Sequence, residues 1–401
     1  MADPNEWMRG KLGDFFVISR EKGAEDLPTL SVTMHDGLVR RDSIDRKMDS
    51  ELEDGEHLRV RPGDIAYNMM RMWQGASGLA TEDGIVSPAY VVARPRKAID
   101  PVFASYWFKS ERMIYLFWAY SYGLTNDRLR LYSKDFTQIP VELPPLLEQR
   151  RIAQVLGDFD RAIDAIDAQV AAKQRRKRAL VDATFPELAG SAGYRRVKFG
   201  ELGDFVRGVT YDPNEDICTD GTGIGICGAT QIQDGRLLSN GHLVWVQPRI
   251  VAANQRLRRG DFAIATSNGS KALVGKAAEI KAVDRPLAVG GFSALLRPKG
   301  QMERQLARHL FQSTRYKRFL HIQLSGSSIG NLYTSALEEA EFDIPLTKLE
   351  PSLSLLDELG EEIDLLTDAA GALRQQQQGL MQQLFTGKRN FGATNMKGVA
   401  A

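Results

Sequence analysis

Cysteine is almost missing: the 401 residues hold only Cys218 and Cys227. With no second pair and no histidine at ligand spacing, a disulfide framework and a cysteine-type zinc site are both excluded. Two free thiols and no leader-like N-terminal segment fit a reducing cytoplasm. Also lacking is any apolar run long enough to span a bilayer, so a soluble protein is expected. Charge of one sign is absent as well, with 52 Lys and Arg against 51 Asp and Glu and a net charge of +1. A neutral total does not announce a nucleic-acid binder, although a basic face can hide inside it.

Signals for chemistry are equally thin. There is no Walker A sequence and no Asn/Asp-Pro-Pro-Tyr/Phe tetrapeptide; Leu143-Pro144-Pro145-Leu146 lacks the polar first residue. Gly223–Gly228 satisfies G-x-G-x-x-G. It has neither the preceding apolar strand nor the following amphipathic helix that a phosphate loop requires. Glu279-Ile280-Lys281 with Asp261 upstream resembles part of a nuclease motif, at a spacing that recurs by chance. His35, His57, His242, His309 and His321 are scattered and read as surface or packing residues. The chain is therefore read as non-catalytic, with no metal and no cofactor of its own.

What is present is periodicity. In Leu146–Phe185 apolar residues fall at Ile152, Leu156, Phe159, Ile163, Ile166 and Val170, in alternating steps of four and three. In Leu349–Phe385 they fall at Leu356, Leu359, Ile363, Leu366, Ala370 and Leu373. That is a heptad seam, which predicts two long helices paired as a coiled coil. Leu156, Phe159, Ile163 and Ile166 map onto Leu356, Leu359, Ile363 and Leu366 at a constant offset of 200 residues. A repeat of about half the chain implies two copies of one module.

The regions before each helix read as mixed α/β domains. Phe15–Ile18, Ile65–Tyr67 and Tyr90–Ala93 look like strands, and Pro101–Trp118 like one helix with Trp107, Ile114, Phe117 and Trp118 as apolar bulk. Landmarks return in order. Leu12-Gly13-Asp14-Phe15 is matched with Leu202-Gly203-Asp204-Phe205, Leu58–Ile65 with Leu257–Phe262, and Arg94-Pro95 with Arg297-Pro298. Gly123 is matched with Gly326, and Ile139-Pro140 with Ile344-Pro345. The resulting scheme is a first domain at 1–143, a long helix at 144–186, a linker at 187–196 and a second domain at 197–345. A second long helix follows at 346–386, and a flexible tail at 387–401. The expected fold class is α+β: two globular mixed α/β domains joined by two long antiparallel helices, with a pseudo-two-fold internal repeat.

The helix start Pro145–Gln149 (PLLEQ), the ending Gln375–Arg389 (QQQQGLMQQLFTGKR) and the Arg61–Asp64 turn reach a family. Together with the domain order they resemble the specificity (S) subunits of type I restriction–modification systems, over nearly the whole chain. The second helix start, Leu349-Glu350-Pro351, departs from the pattern by lacking the Gln and the basic pair. The resemblance implies a non-catalytic reader of double-stranded DNA. Each variable domain would recognise half of a bipartite target, and the helices would space the halves. Two modification (methyltransferase) subunits with S-adenosylmethionine would methylate adenine, and restriction subunits would use ATP and Mg to translocate and cut. A different class, a coiled-coil scaffold that assembles proteins without reading DNA, is the alternative.

DNA-facing candidates are loops, which the family places in these regions. In the first domain they are Tyr67, Asn68, Arg71 and Trp73, then Ser121, Thr125, Asn126, Arg128 and Arg130. In the second they are Thr266, Ser267, Asn268, Ser270 and Lys271, then Ser327, Ser328 and Asn331. Amides, hydroxyls and cations of this kind suit base edges and phosphates. The basic run Lys173–Arg178 is read as a solvated helix face, because its counterpart Arg374–Gln378 is mostly uncharged.

Overall fold

A computed structural model of the chain describes residues 7–23, 26–34, 36–44, 57–125, 128–186, 193–233, 235–238, 243–325 and 330–386. It divides into two compact units, residues 1–166 with 368–401 and residues 167–367. The division falls inside both long helices rather than at their ends. Among the described residues no helix is long and apolar enough to cross a membrane.

Unit 1 begins with β1 (Met8–Lys11), the one-turn helix α1 (Leu12–Phe15) and β2 (Phe16–Ser19). Seven strands follow: β3 (Leu30–Val32), β4 (Leu38–Arg40), β5 (Leu58–Val60), β6 (Ile65–Asn68), β7 (Ser77–Leu79), β8 (Gly84–Val86) and β9 (Tyr90–Pro95). Then come α2 (Pro101–Trp107), α3 (Glu111–Ala119), α4 (Ser133–Phe136), β10 (Pro140–Leu143) and the long α5 (Leu146–Thr184). The main sheet has the order β2-β9-β6-β7, all antiparallel. The expected strands are there, and the single helix expected at Pro101–Trp118 is two. The Ser110 side chain accepts from the Met113 N–H and caps a new helix, as a serine at that position does. Trp107 and Phe117 enter the core with Phe16, Phe103, Phe108 and Phe136. Trp118 does not; it is 47% exposed.

Unit 2 contains β11 (Tyr194–Lys198), α6 (Phe199–Leu202), β12 (Gly203–Arg207), β13 (Ile224–Cys227), β14 (Ile232–Gln233), β15 (Arg236–Leu237) and β16 (Val244–Val246). Next are β17 (Phe262–Ala265), β18 (Ser267–Asn268), β19 (Ala277–Glu279), β20 (Leu287–Val289) and β21 (Ser293–Pro298). The unit continues through α7 (Gln301–Leu310), α8 (Thr314–Leu324), β22 (Gly330–Asn331), α9 (Thr334–Glu338), β23 (Glu341–Pro345) and the start of α10 (Leu349–Phe385). Its main sheet, β12-β21-β17-β19, repeats the order of the first. Gly223–Gly228 runs through β13, between β16 and β20, and only the single 3-10 turn Ala229–Gln231 follows, so no α-helix N-terminus faces these glycines.

The repeat holds at the level of backbone, with two landmark pairs displaced. Lys11 pairs with Pro140 and Lys198 with Glu341 in the short sheets. The Asp14 carboxylate accepts from the Lys11 N–H, and that of Glu201 from the Lys198 N–H. Leu12-Gly13-Asp14-Phe15 therefore corresponds to Phe199-Gly200-Glu201-Leu202, three residues before the look-alike Leu202–Phe205. By the same register Ile139 corresponds to Ala340; their carbonyls accept from Leu12 and Phe199. Ile344-Pro345 answers to Leu143-Pro144. In Leu58–Ile65 and Leu257–Phe262 the turn itself matches, Arg61–Ile65 with Arg258–Phe262, which sets Leu257 against Val60 rather than Leu58. Gly63 and Gly260 take φ of 93° and 95°, a left-handed turn that favours glycine.

Within unit 1, α5 and the end of α10 share the core: Ile152, Leu156, Leu384 and Phe385 are buried together. Gln377 donates to the Leu156 carbonyl at 3.2 Å and to Asp160 at 2.6 Å. Within unit 2 the partners are the end of α5 and the start of α10, with Val181, Phe185, Leu353 and Leu356 in one core. Of the seam residues, Leu156, Ile163, Leu356 and Leu359 are buried, whereas Phe159, Ile166, Ile363 and Leu366 are half-buried. The basic run splits by environment. Lys173 pairs with Glu362 at 2.5 Å, Lys177 is half-buried with its pKa lowered by desolvation, and Arg175, Arg176 and Arg178 are exposed.

Candidate nucleic-acid interface

The same clamp stands behind the candidate loops in both units. Arg94 holds the buried Asp64 through two hydrogen bonds of 2.9 Å. Arg297 holds the buried Asp261 through bonds of 2.9 and 2.7 Å. Each aspartate also accepts a backbone N–H from its own turn, Arg61 at 3.0 Å and Arg258 at 2.8 Å. Hydrogen bonding to the carboxylate raises the pKa of each arginine. A two-pronged arginine–carboxylate pair fixes geometry as well as charge. Here it ties the turn before β6 or β17 to the neighbouring β9 or β21, and so aims the loop that follows.

The two loops singled out separately in each half of the sequence meet in the structure. In unit 1 the Leu131 N–H donates to the Met69 carbonyl at 2.9 Å, and Tyr122 and Arg130 exchange backbone hydrogen bonds. In unit 2 the Leu332 N–H donates to the Thr266 carbonyl at 2.8 Å, and β18 pairs with β22, Ser267 opposite Asn331. Both first loops then turn alike. The Asn68 side-chain oxygen accepts from the Met70 N–H, and that of Asn268 from the Ser270 N–H, each at 2.9 Å. Such a side chain shapes the loop as an Asx turn, leaving its amide NH2 to donate outward.

Individual candidates separate by exposure. Tyr67 is a correction: it is fully buried and stacks on Phe136 at 5.2 Å, so it is core. Burial pushes its pKa well up. Trp73 is half-buried, its indole N–H donating to the Met70 carbonyl, and Ser121 is half-buried with its hydroxyl on the Phe117 carbonyl. Arg71, Thr125, Arg128, Arg130, Ser270, Lys271 and Asn331 are exposed, while Asn68, Thr266, Ser267 and Asn268 are half-buried. Asn126, Ser327, Ser328 and the Gly326 landmark lie outside the described residues. Sequence reading passed over Phe292, which is 73% exposed and whose carbonyl accepts from both Thr266 and Ser267. The preceding Gly290-Gly291 pair marks a turn there, which was the available signal. Tyr333, which closes the candidate loop Ser325–Tyr333, is 71% exposed and so is not core packing.

The nuclease-like residues are occupied otherwise. Asp261 is held by Arg297, Glu279 by Arg304 and Arg308, and Lys281 by Asp364. Among the described residues no group of His, Cys, Asp and Glu could hold a metal ion. Gln149 of the PLLEQ helix start is fully buried. It donates to the Ala98 and Pro144 carbonyls and accepts from the Asp100 N–H. In unit 2 the apolar Leu349 packs against the core at the start of α10, with no such lock.

Comparison with known proteins shows what these features are similar to. Residues 59–173 match a family model described as type I restriction modification DNA specificity domain. Similar sequences include the type I restriction enzyme StySPI specificity subunit of Salmonella potsdam, 27% identical over 43% of this chain and 36% of that protein. The EcoKI specificity subunit of Escherichia coli K12 is 27% identical over 40% of this chain and 34% of that protein. The chain thus spans about a third of the length of these curated relatives. The fold is similar to that of the type I restriction-modification S subunit from M. genitalium (15% identity, TM-score 0.60, 96% of this chain and 97% of that one). A chain solved in work on the assembly and conformational transition of the type I R-M system is 17% identical, with a TM-score of 0.53 and coverage of 95% and 97%. By sequence over residues 59–173, and by fold over nearly the whole chain, the chain is similar to the specificity subunits of type I restriction–modification systems.

Proposed function

We propose that the chain is a non-catalytic DNA sequence-recognition subunit that reads a bipartite target and directs adenine methylation and restriction by partner subunits. The observation that carries this reading is the loop pair. In each unit two distant stretches are brought together on one clamped scaffold, with different side chains presented by the two copies. One scaffold with two faces suits two unlike half-sites, with Arg71, Arg128 and Arg130 serving one and Asn268, Lys271 and Asn331 the other. α5 and α10, paired as an antiparallel coiled coil, form the spacer. A helix of 39 residues is about 58 Å long, enough to hold two readers one DNA turn apart.

Two modification subunits carrying S-adenosylmethionine dock on this chain, and restriction subunits supply ATP- and Mg-dependent translocation and cleavage, all in the cytoplasm. The chain itself positions these activities. Mapping of adenine methylation across the genome, with and without the gene, tests the proposal. Loss of the methyl group from one bipartite motif on deletion is the expected result. An unchanged methylation map while the partner genes are expressed overturns it.

A further inference from the structure

Four large apolar side chains lie exposed within ten residues of unit 1: Tyr115, Trp118, Tyr122 and Leu124. Tyr115 and Trp118 sit on α3 with ring centroids 5.9 Å apart, and are 63% and 47% exposed. Position 122 is 62% exposed. The stripe runs without a break into the second candidate loop. The Ser121 N–H donates to the Trp118 carbonyl, and Tyr122 exchanges backbone bonds with Arg130. Arg112, Arg128 and Arg130 border it, all exposed and without an ion pair among the described residues.

We infer that the α3 stripe is part of the DNA-binding face of unit 1: Tyr115, Trp118 and Tyr122 cover deoxyribose rings and thymine methyls, and Arg112 takes a phosphate. This rests on the DNA-recognition reading. The repeat is what selects DNA over a protein partner. Ser110 and Ser313 cap the equivalent helices α3 and α8 in the same way. In that register Tyr115 and Trp118 correspond to Arg318 and His321, both exposed. A protein partner docking once on each copy would need the same chemistry on both, whereas one face presents Tyr and Trp and the other Arg and His. A duplex offers both kinds of surface, base edges and sugars in the grooves and phosphates outside.

The test uses the full chain and a duplex carrying the bipartite motif found by methylation mapping, with binding followed by fluorescence anisotropy over a range of salt. Tyr115→Ala/Trp118→Ala weakens binding about tenfold and leaves the salt slope unchanged, because the lost contact is apolar. Trp118→Phe with Tyr115 intact restores most of the affinity. Arg112→Ala lowers the salt slope by about one. On the wild-type chain, the duplex shields the fluorescence component that Trp118→Phe removes from acrylamide. Wild-type affinity in the double variant, with reduced co-purification of the modification subunits, overturns the inference and leaves DNA recognition standing. A wild-type chain that binds the motif no better than a shuffled duplex overturns both.

Discussion

His309 on α7 has no exposed side-chain surface, and its Nε2 lies 2.8 Å from Asp357 of α10. Arg308 bridges Asp357 to Glu279, and Gln305 donates to Asp357 at 2.7 Å. Desolvation lowers the His309 pKa below 6.5 against the pull of Asp357. Burial works to raise the Asp357 pKa, but hydrogen bonds from His309, Gln305 and Arg308 hold it well below the usual carboxylate range. Both shifts have the same sign for stability. A histidine kept neutral in the fold contributes stability above its unfolded pKa of about 6.5 and loses it as the pH falls through that value. A depressed aspartate loses its contribution below about pH 4. Unit 2 is therefore expected to lose stability as the pH falls below about 6.5, before the carboxylates titrate. Thermal unfolding as a function of pH checks this: His309→Gln flattens the decline in that window, and an unchanged slope contradicts the assignment.

Gln149 shows how one residue makes an element begin where it does. Its amide joins the first turn of α5 to the loop before α2 through two hydrogen bonds, and a third goes to the Pro144 carbonyl just before the helix. Gln149→Ala leaves buried polar groups without partners, at a cost of about 2 kcal/mol, read as a lower denaturant midpoint with an unchanged m value. Sequence periodicity located α5 and α10 to within a residue or two, because a two-faced helix writes its packing every three or four positions. It also found the strands β6 and β9. It ran α2 and α3 together, since a serine cap is invisible to apolar spacing. Look-alike letters misaligned Leu12–Phe15 and Ile139-Pro140, where backbone pairing, not spelling, sets the correspondence.

At the scale of the whole chain, the two copies share their clamp, main-sheet order and the serine cap of α3 and α8, and diverge in their loops. On the proposed function, that division separates spacing from reading. Removal of seven residues from α5, matched by seven from α10, shortens the helices by about 10 Å. The unread gap in the methylated motif is then expected to contract by roughly three base pairs, with both half-sites kept. A changed half-site in the methylation map contradicts the separation.

The resemblance, the repeat and the long helices were legible in the sequence, because they rest on local periodicity and recurring short motifs. So were the candidate loops, as stretches. Which of their side chains face outward was decided only by the tertiary structure. Tyr67 looks like a reader by type, yet Phe136, far along the chain, covers it. Phe292 and Tyr115 look like core residues by type and stand exposed. Residue type sets what burial would be worth, but contacts between distant segments decide what is buried.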